Sequence, residues 1–355
     1  LHNFPKRVES AEKICYNEMC FQEIKESPEV PMPYVILALC LLVLGGLCAM
    51  LCITVPVAKR VYFNQLVRET PEKWGRVCSA PGHPEQQPMW DAGLRFGEEN
   101  RAQCREVSVT QTDGARLFGE FYDFGADRCV IILPGRCESL CYSYYFAPPY
   151  KAAGYNVLVI DSRAHGKSDG IYNTLGRLES EDVILWMKFL RTEYHQTLFV
   201  LHAVCVGCNT ALLAAVRQDR PKELAGIVAE GCYVSFRETF RRHMLYIHKP
   251  LFPVLDLCMW NIRRYAGTNV SKIAPIRLVR RLEIPILYLF GKQDAFSVPP
   301  MSRKLYAATK TPHKELVWFE NGSHSHLRLH NTAQYDAAVT AFLQKEGLCE
   351  KSHEA

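Results

Sequence analysis

The sequence predicts an α/β fold in which a largely parallel sheet carries helices on both faces. Short apolar runs rich in Val, Ile and Leu recur along the chain, and helix-length segments separate them. A pair of alternating strands joined by Asp113-Gly114 precedes these runs, as in a β-hairpin. The chain has 355 residues, 48% of them hydrophobic. It can therefore bury an α/β core of about 240 residues and still carry an additional segment.

Eight strands are predicted for the sheet. The first two form the hairpin, and the other six are apolar runs of the kind that parallel sheets bury on both faces. Helices are predicted over residues 178–191 and 209–216. The predicted strands are residues 106–111, 115–124, 129–133, 156–160, 198–201, 224–229, 285–290 and 315–319.

Cys205 lies in a tight turn between the fifth strand and the helix that follows it. Ala203 and Gly207 are small, as a strand-turn-helix elbow requires two residues before and two after its nucleophile. A thiol at a helix N-terminus lies near the helix dipole and free N–H groups, which favour the thiolate. The pattern predicts a nucleophile, and a buried structural cysteine is the alternative.

Asp294 and His324 directly follow the seventh and eighth strands. Reactive groups gather beyond the carboxyl ends of parallel strands, and the order nucleophile, acid, histidine is that of a hydrolase triad. Asp294 could instead cap the next helix, and His326 is a second histidine close to His324. The loop after the fourth strand is predicted to be structural, through Asp161, Arg163 and His165.

Short motifs lie at the ends of these strands, at residues 112–114, 133–135, 161–168, 174–182, 203–207, 274–276, 291–294 and 322–324. On these motifs, residues 103–345 resemble the α/β hydrolases of the serine aminopeptidase-like and Bem46-like kind, especially the membrane-anchored bacterial members. The resemblance implies the α/β-hydrolase fold, a mostly parallel eight-stranded sheet with a helical cap, here over about 233–283.

The resemblance also implies a role for each site residue. Cys205 would be the nucleophile, His324 the general base and Asp294 the carboxylate that orients the imidazole. The backbone N–H groups of Arg136 and Val206 would form the oxyanion hole. The chain departs from the family pattern at three positions, which are Pro134 in place of histidine, Ala203 in place of glycine, and Cys205 in place of serine.

Cys208 opens a different interpretation of the elbow. Cys205 and Cys208 form a Cys-x-x-Cys pair at a strand-to-helix junction, a pattern also typical of thioredoxin-like redox sites. The flanking elements are those of a hydrolase, so Cys208 is predicted at most to form a reversible disulfide with Cys205. No ligand set with zinc-finger spacing is present, and no cofactor or metal is expected.

An apolar segment precedes the predicted enzyme. Residues 30–58 carry no charge, and residues 34–55 are long enough to span a bilayer as a helix. A cleaved signal peptide is the competing interpretation, but the segment lacks a basic region before it. The predicted order is a tail (1–33), a transmembrane helix (34–55), a linker with short helices (56–102), the hydrolase domain (103–348) and a C-terminal tail (349–355).

Charge and cysteine content predict the orientation. Lys59, Arg60 and Arg68 follow the apolar segment, whereas residues 1–33 carry four Lys/Arg and six Asp/Glu. The basic side faces the cytoplasm under the positive-inside rule, and ten cysteines in residues 78–349 agree with a reducing compartment. The catalytic domain is therefore expected in the cytoplasm, on a single-pass membrane protein.

The function predicted from these features is hydrolysis or transfer of an acyl group from an ester or thioester through a covalent acyl-enzyme. The predicted cap, residues 233–283, holds ten Lys/Arg and three Asp/Glu, which suits contact with anionic lipid or a small-molecule or lipid acyl substrate with an acidic group. A solvated amphipathic cap is the alternative. Nucleic acid is not expected, because no recognition motif is present. A catalytically silent fold that serves as a binding or redox-sensing protein is the alternative.

Overall fold

An eight-stranded sheet forms the centre of the computed structural model, which describes residues 31–77 and 84–349. The strand order is β1-β2-β4-β3-β5-β6-β7-β8. β2 pairs antiparallel with β1 and β4, and the remaining neighbours are parallel. This confirms the predicted fold class. The strands are β1 (Cys104–Thr110), β2 (Arg116–Tyr122), β3 (Arg128–Leu133), β4 (Asn156–Ile160), β5 (Leu198–Val204), β6 (Leu224–Glu230), β7 (Ile286–Gly291) and β8 (Lys314–Phe319).

Helices cover both faces of this sheet. The described helices are α1 (Met32–Leu66), α2 (Gln86–Glu99), α3 (Leu140–Ser143), α4 (Pro148–Ala152), α5 (Glu179–Tyr194), α6 (Val206–Ala215), α7 (Phe236–Tyr246), α8 (Val254–Tyr265), α9 (Pro275–Leu278), α10 (Pro299–Ala308), α11 (Leu327–His330) and α12 (Thr332–Lys345). β3, β4 and β7 are almost wholly buried because helices pack on each side of them. α7, α8 and α9 form the cap between β6 and β7.

The loop after β4 is built around two buried charged groups. The carboxylate of Asp161 accepts hydrogen bonds from the backbone N–H groups of Leu140 (3.0 Å) and Lys167 (2.9 Å). The guanidinium of Arg163 holds both carboxylate oxygens of Asp182, at 2.7 and 3.0 Å. Gly166 is required here, since a Cβ on it would lie 2.1 Å from Asp161. These contacts agree with the structural role predicted for this loop.

The segment predicted as a linker is part of a compact unit. Contacts divide the chain into residues up to Ile53 and residues from Thr54 onward. α1 continues to Leu66, eleven residues beyond the predicted end of the span at 55, because Ala58, Tyr62 and Leu66 form an apolar stripe at helical spacing and are buried. Within residues 84–102, α2 buries Met89, Trp90 and Phe96 against the sheet domain.

The apolar part of α1 is a candidate membrane span. Among the described helices, Met32–Leu66 has the length and apolar composition needed to cross a membrane, and its first half exposes large apolar side chains. The predicted N-terminal tail up to residue 30, and the C-terminal tail from residue 350, lie outside the described residues.

Substituting Arg163→Ala is expected to lower the free energy of unfolding by about 3 to 5 kcal/mol, because it leaves the buried Asp182 carboxylate without its partner. Arg217→Ala is the matched control: Arg217 also binds two acids but is more exposed, so the loss should be below about 1 kcal/mol. Urea unfolding in mild detergent measures both. Equal losses would contradict the prediction.

Candidate active site

Cys205 occupies the strained turn that the elbow predicts. Its backbone has φ 53° and ψ −112°, a conformation that non-glycine residues rarely adopt, and α6 begins at the next residue. Gly207 has to lack a side chain, because a Cβ there would lie 2.5 Å from the carbonyl oxygen of Leu133. Ala203 is fully buried in β5, so the smallest side chain fits where the family has glycine. Strain held by close packing is typical of a functional position.

Asp294 and His324 are joined by a hydrogen bond of 2.7 Å between Oδ2 and Nδ1. The other carboxylate oxygen of Asp294 accepts the backbone N–H groups of Phe296 and Ser297, each at 2.7 Å. Asp294 therefore both shapes its own turn and orients the imidazole. Burial alone would raise the pKa of Asp294, but His324 and these N–H groups hold it below its usual value.

His324 is the histidine that meets the acid. His326 Nδ1 lies 2.7 Å from the carbonyl oxygen of His324, and His330 Nε2 lies 2.7 Å from Glu85 Oε1. Burial acts to lower the pKa of His324, but Asp294 and then Cys205 outweigh it and raise the pKa well above its ordinary value. The carboxylate thus makes His324 a stronger base.

Cys205 and His324 are close neighbours. The thiol influences the pKa of His324 both through charge and through side-chain contact. It does not complete a hydrogen bond of normal geometry, since Nε2 of His324 is buried without a partner among the described residues. Catalytic hydrogen bonds often tighten only when substrate is bound.

The two predicted oxyanion donors lie on adjoining segments. A Cβ on Gly207 would lie 3.0 Å from the carbonyl oxygen of Pro134, so the loop after β3 lies directly against the first turn of α6. Neither the N–H of Arg136 nor that of Val206 donates a hydrogen bond within residues 31–77 and 84–349. Both are therefore open to a ligand.

Three hydrogen bonds hold the loop after β3 in place. The Arg136 guanidinium donates to the carbonyl oxygen of Gln65 (2.9 Å), and the carbonyl oxygen of Arg136 lies 2.7 Å from His165 Nε2. The N–H of Gly135 donates to Glu138 Oε2 (2.8 Å). Burial raises the pKa of Glu138, which favours a neutral carboxyl group beside the loop. A role for Glu138 was not predicted from the sequence, because no motif marks this residue.

Cys208 lies behind the elbow, in the core. Its thiol is fully buried and donates to the carbonyl oxygens of Ala203 (3.2 Å) and Glu230 (3.3 Å). Burial and the neighbouring Cys232 raise the pKa of Cys208 well above its ordinary value. A thiol held protonated in this way is a poor partner for disulfide exchange with Cys205.

Glu230, at the end of β6, connects the turn that carries Cys205 with the loop that carries His324. Its carbonyl oxygen accepts the N–H of Cys205 (3.0 Å), and its carboxyl group accepts the N–H of Leu327 (3.1 Å) and the hydroxyl of Tyr335 (2.6 Å). Tyr335 in turn contacts the buried His202 (3.3 Å). Burial raises the pKa of Glu230 to about 7. A glutamate at the end of an apolar strand is the sequence feature that marks this position, and a role for Glu230 was not predicted from it.

Cys205 packs against a cluster of buried apolar side chains. We call the following members of it the cap cluster: Val206, Tyr233, Phe236, Phe240 and Met244. The hydroxyl of Tyr233 is buried without a partner among the described residues, and burial and then Cys205 raise its pKa. The ring of Phe296 lies edge-on to His324, with centroids 5.3 Å apart. The part of the chain that the structure describes contains no group of three acidic, cysteine or histidine side chains able to hold a metal ion.

The comparisons with known proteins agree with this architecture. Residues 128–256 match the family of the α/β hydrolase fold. The chain has the α/β-hydrolase fold. The Pyrococcus furiosus esterase Pf2001 superposes with a TM-score of 0.58 at 23% identity, over 70% of this chain and 93% of that one. The esterase EaEST from Exiguobacterium antarcticum gives 0.51 at 14% identity, over 68% of this chain and all of that one.

Two bacterial proteins are similar in sequence. The uncharacterized protein YqkD of Bacillus subtilis is 25% identical over 217 residues, which cover 60% of this chain and 70% of YqkD. The uncharacterized protein YfhR of Escherichia coli K12 is 24% identical over 228 residues, covering 62% of this chain and 73% of YfhR. These similarities support membership of the α/β-hydrolase superfamily. The reaction has to be argued from the residues of this chain.

Substituting Glu230→Gln is expected to change how stability depends on pH. Because folding raises the pKa of Glu230 from 4.5 to about 7, its contribution to stability is fully present below pH 4.5 and is lost as pH rises through 7. The wild type should therefore lose about 2 to 3 kcal/mol relative to the variant between pH 4.5 and 8. Urea unfolding at several pH values measures this, and parallel curves would contradict it.

Proposed function

We propose that the protein is a membrane-anchored hydrolase that cleaves an acyl group from an ester or thioester, or transfers it, with Cys205 as nucleophile. One observation carries the proposal: Cys205 stands in a strained elbow beside a histidine that is bound to a buried aspartate and whose second nitrogen has no partner in the part of the chain that the structure describes. Such a histidine is placed to take a thiol proton.

The reaction follows from this arrangement. Sγ of Cys205 attacks the acyl carbon while its proton passes to Nε2 of His324. The negative oxygen of the tetrahedral intermediate is received by the N–H groups of Arg136 and Val206. His324 then gives the proton to the departing alkoxide or thiolate, which leaves an acyl thioester on Cys205. Water attacks that thioester while His324 takes its proton. The intermediate then collapses with loss of the Cys205 sulfur, which receives the proton from His324, and a carboxylic acid is released.

The surroundings of Cys205 favour an acyl substrate over a peptide. Thioester formation suits activated acyl compounds, and the cap cluster supplies an apolar lining for an acyl chain. The candidate span of α1 supports membrane attachment, and the basic residues Lys59 and Arg60 after it support a cytoplasmic catalytic domain. A lipid or small-molecule acyl compound is therefore the proposed substrate.

A catalytically silent fold is the second candidate, and Glu138 favours it. A carboxyl group bonded to Gly135 N–H beside the oxyanion loop would oppose a developing negative charge if it ionised. In that case the protein would bind an acyl ligand or sense oxidation without turnover. The cysteine and histidine variants below distinguish these two functions.

Cys205→Ala and His324→Ala are each expected to lower turnover of fluorescent acyl ester and thioester probes by at least about 1,000-fold, because the nucleophile or its base is removed. A thiol alkylator should label Cys205 in the wild type and label it more slowly in His324→Ala. Cys104→Ala is the matched control, a half-buried cysteine outside the site whose loss should leave turnover unchanged. Absence of turnover and of labelling at Cys205, across acyl lengths, would favour the silent fold.

Tyr233→Phe is expected to lower kcat/KM by about tenfold or more. The hydroxyl that this substitution removes lies near Cys205, is buried without a partner among the described residues, and can therefore donate to substrate. Tyr306→Phe serves as the control, because that hydroxyl already donates to the carbonyl oxygen of Lys314, remote from the triad. Steady-state kinetics on an acyl ester measures both. Unchanged kinetics in Tyr233→Phe would exclude the hydroxyl from substrate binding.

A further inference from the structure

The cap exposes a concentrated set of large apolar side chains. We call the following the cap tip: Leu245, Tyr246, Ile247, Phe252 and Trp260, which are 43 to 74% exposed. They lie within sixteen residues of sequence, at the end of α7, in the connecting loop and near the middle of α8. Scattered apolar residues on a protein surface are ordinary, whereas a contiguous set marks an interaction surface.

α8 separates two chemically distinct faces. Its inner face buries Val254, Leu255, Cys258 and Ile262 in the cap. Its outer face exposes Trp260, and the Arg264 guanidinium lies 5.4 Å from the centre of that indole ring. A tryptophan beside an arginine is the pairing that membrane interfaces favour.

The contacts between α8 and the last part of α1 determine where the cap tip lies along the axis of α1. Ala58 lies against Cys258, with the thiol 3.5 Å from the carbonyl oxygen, and the Tyr62 ring stacks on Tyr265 at 5.4 Å. Both helices therefore run in the same direction. The start of α8 lies about 6 Å before Cys258, and Val55 lies about 4.5 Å before Ala58, at 1.5 Å per residue. Phe252 precedes α8 and so lies near the level of Val55, where the apolar run ends.

The charges of this surface complement anionic lipid. Arg237 and Arg241 of α7 are paired with Asp256 and Glu238. Three other basic residues have no acidic partner within the described ranges, namely Lys249, Arg263 and Arg264. Basic side chains beside exposed aromatic rings suit the headgroup layer of an anionic bilayer.

We propose that the cap tip is a membrane-docking surface, inserted into the interfacial layer of an anionic bilayer at the end of the α1 span. The cap tip also reaches the active site. The Tyr246 ring lies 5.9 Å from the Phe296 ring, and Phe296 contacts His324. Docking would therefore bring the site close to the bilayer, the source of a lipid acyl chain. This inference rests on the proposed membrane anchor and is independent of catalysis.

Trp260 fluorescence in vesicles tests the proposal. The full chain is reconstituted in phosphatidylcholine vesicles with and without phosphatidylserine, using lipids brominated close to the headgroup. The signal of Trp260 is the difference between wild type and Trp260→Phe. The other four tryptophans provide the background that this difference removes: Trp74, Trp90 and Trp186 are buried, and Trp318 is half-buried. We expect bromine to quench Trp260, more strongly with phosphatidylserine, and Lys249→Glu to weaken that dependence.

A double variant of Tyr246→Asp and Phe252→Asp should abolish most of this quenching. Leu94→Asp, at an exposed apolar position on α2, should leave it unchanged. The proposal would be overturned by an unquenched Trp260 in the wild type or by equal quenching in the double variant. It would also be overturned if Trp260 were shielded and the shielding disappeared on protein dilution, since a second copy of the chain would cause that result. Cys205→Ala should be quenched like wild type, so quenching without turnover contradicts only the proposed function, and turnover without quenching contradicts only docking.

Discussion

The candidate active site depends on one buried residue, Glu230, which holds the elbow through its backbone and the loop of His324 through its side chain. The carbonyl oxygen receives the N–H of Cys205, and the carboxyl group receives the N–H of Leu327, three residues after His324. β6 lies between β5 and β7 in the sheet, so a residue at its end can reach both. The next residue, Gly231, has φ 62° and no side chain, and a Cβ there would lie 3.0 Å from the His324 ring. One dipeptide thus sets both the support and the space that His324 needs.

This arrangement has an energetic cost that the rest of the fold offsets. A strained Cys205 costs on the order of 1 to 3 kcal/mol, and a buried carboxyl group costs more unless its hydrogen bonds are complete. Tyr335 and Leu327 satisfy Glu230, and the Asp294 carboxylate receives three hydrogen bonds. Among the described residues, the buried polar atoms left without a partner include two at the candidate site, Nε2 of His324 and the hydroxyl of Tyr233. A substrate could satisfy these two groups.

The sequence was informative wherever a local pattern determined the structure. The apolar runs located all eight strands, with the fourth predicted to the residue, and the strand ends located Cys205, Asp294 and His324. Glu230 and Phe296 were not predicted, because their roles arise from contacts between segments distant in sequence. The same reason applies to residues 56–66. They were predicted to be part of a linker, whereas the stripe of Ala58, Tyr62 and Leu66 is recognisable only once α8 is known to lie opposite it.

The end of α1, which follows the candidate membrane span, contacts the candidate active site. Gln65, one residue before α1 ends, receives the Arg136 guanidinium, and Arg136 carries a proposed oxyanion N–H. Ala58, two turns earlier on the same helix, contacts the cap at Cys258. The helix that follows the candidate span therefore contacts both the cap and the oxyanion loop. Because these segments are packed together, a displacement of the helix end would be transmitted to the site through contacts rather than through a flexible tether. The close packing of residues 54–66 explains why they could not serve as a linker.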